Sequence, residues 1–154
     1  MAMRKERKES LDRAELMAVL WSYKNNYDKE IKTANKIESL RTAKMSLSVS
    51  LDGMPGGNTH SSMEDYIVKL TTLEAEQAYY ASEKLIAYSQ VTDLINRLED
   101  EIEKTIIYER YISWRPWLDI ADELGYSYGR IRNKHTEVLN KLIDQLEAGN
   151  NKGH

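Results

Sequence analysis

Apolar residues recur at three- and four-residue steps over two long stretches of the chain, which is the spacing of a helix with one apolar face. The first stretch runs from Leu11 to about Leu51, and no Gly or Pro interrupts it. It is predicted to be one helix of roughly 60 Å, since a helix rises about 1.5 Å per residue. The apolar positions of this helix are Met17, Leu20, Tyr23, Tyr27, Ile31, Ala34, Ile37 and Leu40.

The second long stretch, from about Met63 to Leu98, has a stripe that alternates steps of four and three residues, as coiled coils do. Gln77 and Lys84 are polar intrusions in this stripe, and such residues set register or oligomeric state at a cost in stability. The two helices are predicted to pair as an antiparallel hairpin or with a second copy of the chain. The stripe consists of Tyr66, Leu70, Leu73, Gln77, Tyr80, Lys84, Ala87, Val91, Leu94 and Leu98.

Three shorter helical segments follow the second long helix. The first spans Glu99–Ser113, with Ile102, Ile106, Tyr108 and Ile112 as its apolar positions. Pro116 favours the first turn of a short helix over Trp117–Leu124, because a helix start does not need the N–H that proline lacks. The last helix is predicted to span about Tyr128–Leu146.

These elements predict an all-α protein in four parts. The parts are a flexible N-terminus at residues 1–9, a long antiparallel coiled-coil helical hairpin at 10–98 with its loop at 52–61, a helix-turn-helix at 99–147, and a flexible tail at 148–154.

The spacing of three residues near the end of the chain predicts the helix-turn-helix. Ala121 provides the small side chain that two crossing helices require, and Gly125 lies four residues later, where a sharp turn needs a positive φ. Ile131 follows six residues after Gly125 and is expected to pack the second helix against the first. Ser127 is the predicted N-cap of this second helix, which is the element that enters a DNA major groove in helix-turn-helix proteins.

Composition narrows the class of protein further. The 154 residues are 41% hydrophobic and 31% charged, with no Cys, so neither disulfides nor thiolate metal sites are expected. Residues 1–10 form a mixed-charge run unlike a signal peptide, and no apolar run reaches membrane-spanning length. We therefore expect a cytoplasmic protein without a membrane association.

Catalysis and metal binding are not expected. His60, His135 and His154 are scattered over a loop, a helix and the tail, without the spacing of metal ligands. The carboxylate cluster at residues 99–103 has no accompanying nucleophile and is predicted to be a solvated junction. The sequence thus predicts no enzyme activity and no cofactor.

Charge is unevenly distributed over the chain, whose net charge is −3. Residues 1–44 carry 11 basic and 7 acidic residues (net +4), residues 45–101 carry 3 and 10 (net −7), and residues 102–154 carry 8 and 8 (net zero). The middle segment should repel DNA, so a DNA-binding surface has to be local.

Such a local surface is predicted at the start of the last helix. Its outward face is expected to present Arg130, Arg132, Asn133 and Lys134, followed by His135 and Thr136. Arg can pair with guanine and Asn with adenine through two hydrogen bonds each, whereas Lys mainly contacts phosphate. The residues predicted to contact double-stranded DNA are Ser127, Tyr128, Arg130, Arg132, Asn133, Lys134, Arg115 and Lys141.

This last third of the chain resembles region 4 of bacterial sigma factors, through residues 108–112, 117–124, 127–133 and 139–142. The Arg130-Ile131-Arg132 triplet and the ending Leu139-Asn140-Lys141-Leu142 are typical of that region. One departure concerns Tyr128 and Gly129, which stand where sigma factors usually carry a base-reading Arg and Glu. Recognition of the standard promoter element of sigma factors is therefore not expected, and the resemblance assigns contacting roles to Arg132 and Asn133 alone.

Over its whole length the chain resembles the ArpU/RinA-type phage late transcriptional regulators, in which a long helical hairpin precedes a sigma-like end. The segment Gly53-Met54-Pro55-Gly56-Gly57 is similar to the hairpin loop of that family. The resemblance implies sequence-specific binding of promoter DNA in a phage or prophage.

The main interpretation is a DNA-binding regulator whose hairpin either dimerises the protein or docks on RNA polymerase. The sequence leaves two alternatives to this interpretation. In the first, the chain is a protein-interaction module that acts on RNA polymerase or another host factor without binding DNA. In the second, it is a DNA-packaging protein of the small-terminase kind, in which the DNA-binding unit usually precedes the coiled coil.

Overall fold

Five α-helices make up the part of the chain that the structure describes, and no strand occurs there. The structure is a computed structural model that describes residues 2–51 and 59–151, and for residues 2–11, 47–51, 59–61, 150 and 151 it describes the helical backbone alone. The all-α prediction is confirmed. The helices are α1 (Ala2–Leu51), α2 (Thr59–Asn96), α3 (Glu101–Tyr111), α4 (Trp117–Leu124) and α5 (Tyr128–Asn151).

Two helices are longer than the apolar pattern predicts. Helix α1 begins at Ala2 instead of Leu11, and α5 ends at Asn151 instead of Leu146. The residues added at the start of α1 are mostly Lys, Glu and Arg, which favour helix without contributing to an apolar stripe. Of the predicted connector at 52–61, residues 52–58 lie outside the described part of the chain, as do residues 152–154 of the predicted tail. The flexibility predicted for both ends stays a prediction.

The packing divides the chain into two compact units. Unit 1 comprises Met1–Lys24 and Leu85–His154, and unit 2 comprises Asn25–Lys84. Unit 1 holds a core to which α1, α2, α3 and α5 all contribute, with Trp21 of α1 packed edge-on against Tyr111 of α3 at 4.8 Å between ring centroids. The buried residues of this core are Leu16, Leu20, Val91, Leu94, Ile95, Leu98, Ile107, Tyr111, Val138, Leu139, Leu142 and Ile143.

Unit 2 is an antiparallel pair of helices. The Lys84 Nζ of α2 lies 2.7 Å from a carboxylate oxygen of Glu30 in α1, and further along α1 the Arg41 guanidinium lies 3.4 Å from Glu74. Still further along, the Lys44 ammonium lies over the ring of Tyr66. The residue numbers of the partners on α2 fall as those on α1 rise, so the two helices run antiparallel and the predicted hairpin packing is confirmed. The charge of Lys84, the polar intrusion in the α2 stripe, is neutralised by Glu30 of α1.

The predicted apolar faces are largely correct in both helices. All ten residues of the α2 stripe are buried or half-buried. In α1, however, the inward assignment of Ile31 is wrong, since its side chain is 43% exposed. The neighbouring Glu30 faces Lys84 instead. The described part of unit 2 buries the side chains of only Thr33 and Ile37 fully.

None of the helices in the described ranges is both long enough and apolar enough to cross a lipid bilayer.

Candidate nucleic-acid interface

A tight turn joins α4 to α5, and its geometry follows from two residues that the sequence singled out. Gly125 has a φ of 73° and ends α4, and its N–H is directed at the carbonyl oxygens of Ala121 and Asp122. The Ser127 hydroxyl accepts a hydrogen bond of 3.2 Å from the N–H of Arg130. The predicted left-handed Gly125 and the predicted N-cap Ser127 are both confirmed.

A small apolar cluster in unit 1 holds α4 and α5 together. Ile120 and Ile131 are fully buried and Ala121 is nearly so. Ile106 of α3 and Trp117 of α4 complete the buried part of the cluster. The packing role expected for Ile131 is confirmed, and it fixes the rotation of α5 about its own axis.

This rotation directs the flanking polar residues to solvent. Arg130, Arg132 and Asn133 are exposed, Tyr128 is 48% exposed, and Lys134 is half-buried. Because Ile131 lies inside, its neighbours on either side share the outer surface at the start of α5. The predicted contact residues of α5 are therefore brought together on one surface, with the exception of Lys141, which lies two helical turns further along.

Aromatic rings support the cationic side chains of this surface. The Arg132 guanidinium lies 5.1 Å from the ring centre of Trp117 and 5.9 Å from that of Tyr128. Arg130 and the Lys134 ammonium each lie 5.5 Å from the ring centre of Tyr126. Such stacking orients a guanidinium while its edge keeps hydrogen-bond donors available. The cations are thus partly ordered before any partner arrives.

Two of the predicted contact residues are engaged within the protein. The Arg115 guanidinium donates a hydrogen bond of 3.0 Å to Glu109 and is also paired with Glu123. Lys141 donates to Glu103, and this hydrogen bond raises the pKa of Lys141. Both cations have carboxylate partners in unit 1, so their predicted phosphate contacts would have to compete with these ion pairs.

The solvated junction expected for the carboxylates at residues 99–103 is wrong for Glu103, whereas Asp100 is exposed as expected. Glu103 is only 7% exposed and is paired with Lys141. Asp100 caps α3 by accepting hydrogen bonds from the N–H groups of Ile102 and Glu103, the latter being the main cause that lowers the pKa of Asp100. These carboxylates have structural roles at the start of α3.

The sequence also placed His135 wrongly on the outward face of α5. Its side chain is 7% exposed, and its Nε2 lies 2.6 Å from the Tyr111 hydroxyl, within hydrogen-bonding distance. The ring also packs edge-on against Trp117 at 4.6 Å between ring centroids. Burial, and secondarily the charges of Arg132, Arg110 and Arg13, lower the pKa of His135 to about 4.

Tyr111, which the sequence did not single out, is the partner that makes this burial possible. Burial raises the pKa of Tyr111 to about 12, so the hydroxyl stays protonated near neutral pH. Next to this pair, the Arg110 guanidinium lies 4.7 Å from the ring centre of Trp117 and donates to the carbonyl oxygen of Arg115. A polar and aromatic layer therefore lies directly beneath the exposed start of α5.

Among the residues that the structure describes, no group of three or more His, Asp or Glu side chains is arranged to hold a metal ion. Comparison with protein-family models, with curated proteins and with solved structures finds no match to this chain.

Proposed function

We propose that this chain is a sequence-specific DNA-binding transcriptional regulator of a phage or prophage that inserts the start of α5 into the major groove. The observation that carries the proposal is the buried Ile131, which leaves Arg130, Arg132 and Asn133 exposed together behind a tight turn. A second helix presented in this manner is how helix-turn-helix proteins contact bases. The sigma-like pattern in the same residues supports the proposal independently of the geometry.

The residues of this surface have chemically distinct roles in the proposed complex. Arg132 pairs with a guanine edge and Asn133 with an adenine edge, which gives specificity. Lys134 and Arg130 contact phosphates, which positions α5 without specifying sequence. The backbone N–H groups of Ser127 and Tyr128 lie at the positive end of the α5 dipole and donate hydrogen bonds to a phosphate there.

Electrostatics predicts a weak dependence on salt for one such surface. Arg115 and Lys141 are paired with carboxylates and Arg132 is assigned to a base, so two cations remain to neutralise phosphates: Arg130 and Lys134. The logarithm of the binding constant should then fall with the logarithm of salt concentration with a slope of about −2 per DNA-binding unit.

The proposal predicts different consequences for two neighbouring substitutions. Arg132→Ala should cost about 1–3 kcal/mol of binding free energy and relax the preference at one base pair, because it removes a base contact. Lys134→Ala should weaken all sequences about equally and reduce the salt slope by about one, because it removes a phosphate contact. Fluorescence-anisotropy titration of native fragments from the neighbourhood of the gene, beside a scrambled duplex, measures both.

Arg97→Ala serves as the control, since Arg97 is an exposed cation at the end of the second long helix, outside the α4–α5 surface. It should leave affinity and salt slope unchanged. If Arg132→Ala and Lys134→Ala bind like the unmodified protein, α5 is not the recognition helix.

A protein-interaction module is the second candidate, and the surface of α4 favours it. Asp119 and Asp122 are exposed and would repel phosphates, while the neighbouring Leu118 is 62% exposed. An acidic and apolar surface of this kind fits a protein such as RNA polymerase. Binding to purified polymerase without any affinity for DNA at low salt would favour this function, and a ring-sized oligomer would favour DNA packaging.

A further inference from the structure

Unit 2 carries an open groove of about 790 Å³ between α1 and α2. Leu40, Val68 and Leu73 line it, and its surface is mostly apolar. Val68, one of the lining residues, is 64% exposed although its side chain is branched and apolar. We propose that this groove binds the α2 helix of a second copy of the chain, in a dimer with two-fold symmetry.

The first argument is that unit 2 lacks a core of its own. Its two helices fully bury only Thr33 and Ile37 among the described residues, whereas a helix pair needs further apolar cover to be stable. Two antiparallel pairs packed face to face make a four-helix bundle, which encloses a core between them. A second copy would supply this cover without any additional protein.

The second argument is the distribution of charge around the groove. Lys32, Lys36 and Lys69 line it and are exposed, and in the described part of the chain none of them forms an ion pair. Unpaired cations beside an apolar surface fit a helix with acidic and apolar residues on the same face. The occupant is therefore expected to be acidic.

The α2 helix provides such a face. Asp65, Val68, Thr72 and Glu76 lie three, four and four residues apart, so they share one side of α2, and all four are exposed. Neither Asp65 nor Glu76 forms an ion pair with another described residue. A two-fold contact uses the same patch on both copies, so it brings the acids of each α2 to the lysines of the other copy's α1.

Small residues on α1 allow the close approach that this contact requires. Asn35, Ser39 and Ala43 lie at four-residue steps beside the lysines, and Asn35 and Ser39 also line the groove. A helix can therefore approach α1 along this row, with Lys32 and Lys36 flanking it. Apolar surface, charge and space thus all fit the same occupant.

Sedimentation velocity on the full chain, without DNA, tests the proposal. The unmodified protein should form dimers whose fraction rises over roughly a hundredfold range of concentration. Lys32→Glu combined with Lys36→Glu should weaken the dimer by about a hundredfold, because acids then face acids across both halves of the contact. Asp65→Lys combined with Glu76→Lys should weaken it similarly, because cations then face cations.

An equal mixture of these two double variants gives the sharpest result. Each half of the two-fold contact then joins an acidic helix to a basic one, so a mixed dimer should form with nearly the affinity of the unmodified protein. The matched control is Arg41→Glu combined with Glu74→Lys, which also reverses two charges but exchanges an existing pair outside the groove. The control should dimerise like the unmodified protein.

Three outcomes would overturn the proposal: an unmodified protein that stays monomeric, charge variants that dimerise normally, or a mixture that does not recover. A monomer that instead binds acidic peptides would assign the groove to another partner. None of these outcomes depends on DNA, so they do not bear on the proposed role of α5, which the DNA titration tests separately.

Discussion

At the scale of single residues, the buried His135 makes the stability of unit 1 depend on pH. Its ring faces Tyr111 from α3 and Trp117 from α4, and the charges of Arg110, Arg132 and Arg13 act on it. All three charges are positive, so they oppose protonation together with burial. The neutral imidazole is therefore part of the folded state of unit 1.

Acidification is expected to destabilise unit 1 through this histidine. The pKa of His135 is about 4 when folded and near the ordinary value of 6.5 when unfolded, so the unfolded chain binds the proton more readily. The stabilisation is complete above pH 6.5 and is lost as the pH falls towards 4. Between pH 7 and pH 4 this group alone should remove about 3 kcal/mol from the free energy of unfolding.

Urea unfolding followed by tryptophan fluorescence measures this loss, because all three Trp residues lie in unit 1. His135→Gln is the control, since glutamine stays neutral over the same range and carboxylates such as Asp100 titrate in both proteins. If the free energy of unfolding falls equally between pH 7 and pH 4 in the unmodified protein and in His135→Gln, the pKa of His135 is not lowered as its surroundings imply.

The residues that the sequence predicted correctly differ in kind from those it missed. Gly125 and Ser127 are defined by local backbone requirements, which leave a signature within a few neighbouring residues. His135 and Glu103 are polar residues buried by partners on other helices, namely Tyr111 and Lys141. Helical periodicity assigns polar residues to the surface, so such pairs between helices escape it.

At the scale of elements, the two glycines around the α4–α5 turn should respond oppositely to the same substitution. A Cβ would meet nothing within 4 Å at either Gly125 or Gly129, so neither change is limited by space. Gly125→Ala forces a side chain into a φ of 73° and should cost about 1–2 kcal/mol. Gly129 lies in ordinary helix, so Gly129→Ala should raise the free energy of unfolding by about 0.5–1 kcal/mol.

The free energy of unfolding in urea at neutral pH measures both changes. Gly125→Asn provides a check, because asparagine tolerates the left-handed region better than alanine and should lose less. Stabilisation by Gly125→Ala, or destabilisation by Gly129→Ala, would contradict the conformations described for the turn and for the start of α5.

The long helices illustrate what an apolar stripe predicts at this scale. The alternating stripe of α2 identified its inward face, because each position follows from the period of the helix. The stripe of α1 failed at Ile31, since Glu30 occupies the inward position opposite Lys84. The exposed groove of unit 2 could not be predicted, because it depends on which side of the helix pair is left uncovered.

At the scale of the whole molecule, unit 1 draws on both ends of the described chain. Leu16 and Leu20 of α1 share a core with Val91 and Leu94 of α2 and with Leu142 of α5. The sequence predicts a helix-turn-helix domain at residues 99–147. Because of the shared core, we expect this segment to depend on the first helix for much of its apolar cover.

Two shortened proteins test this dependence. A fragment of residues 99–154 should be largely unfolded, because it leaves Tyr111, Leu139 and Leu142 without their partners on α1 and α2. A chain in which residues 25–84 are replaced by a short Gly/Ser connection should fold, since it retains all of unit 1. Circular dichroism and urea unfolding distinguish them, and a cooperative transition in the fragment would contradict the shared core.

The shared core of unit 1 also constrains the order of events during synthesis. Leu16 and Leu20 leave the ribosome well before Leu139 and Leu142, at roughly 5–20 residues per second. During that interval the first helix can form but cannot bury its apolar face in the finished core. We therefore expect unit 1 to complete its folding only after translation has passed α5, so that nascent chains expose the side of α1 carrying Leu16, Leu20 and Trp21 to chaperones for most of their synthesis.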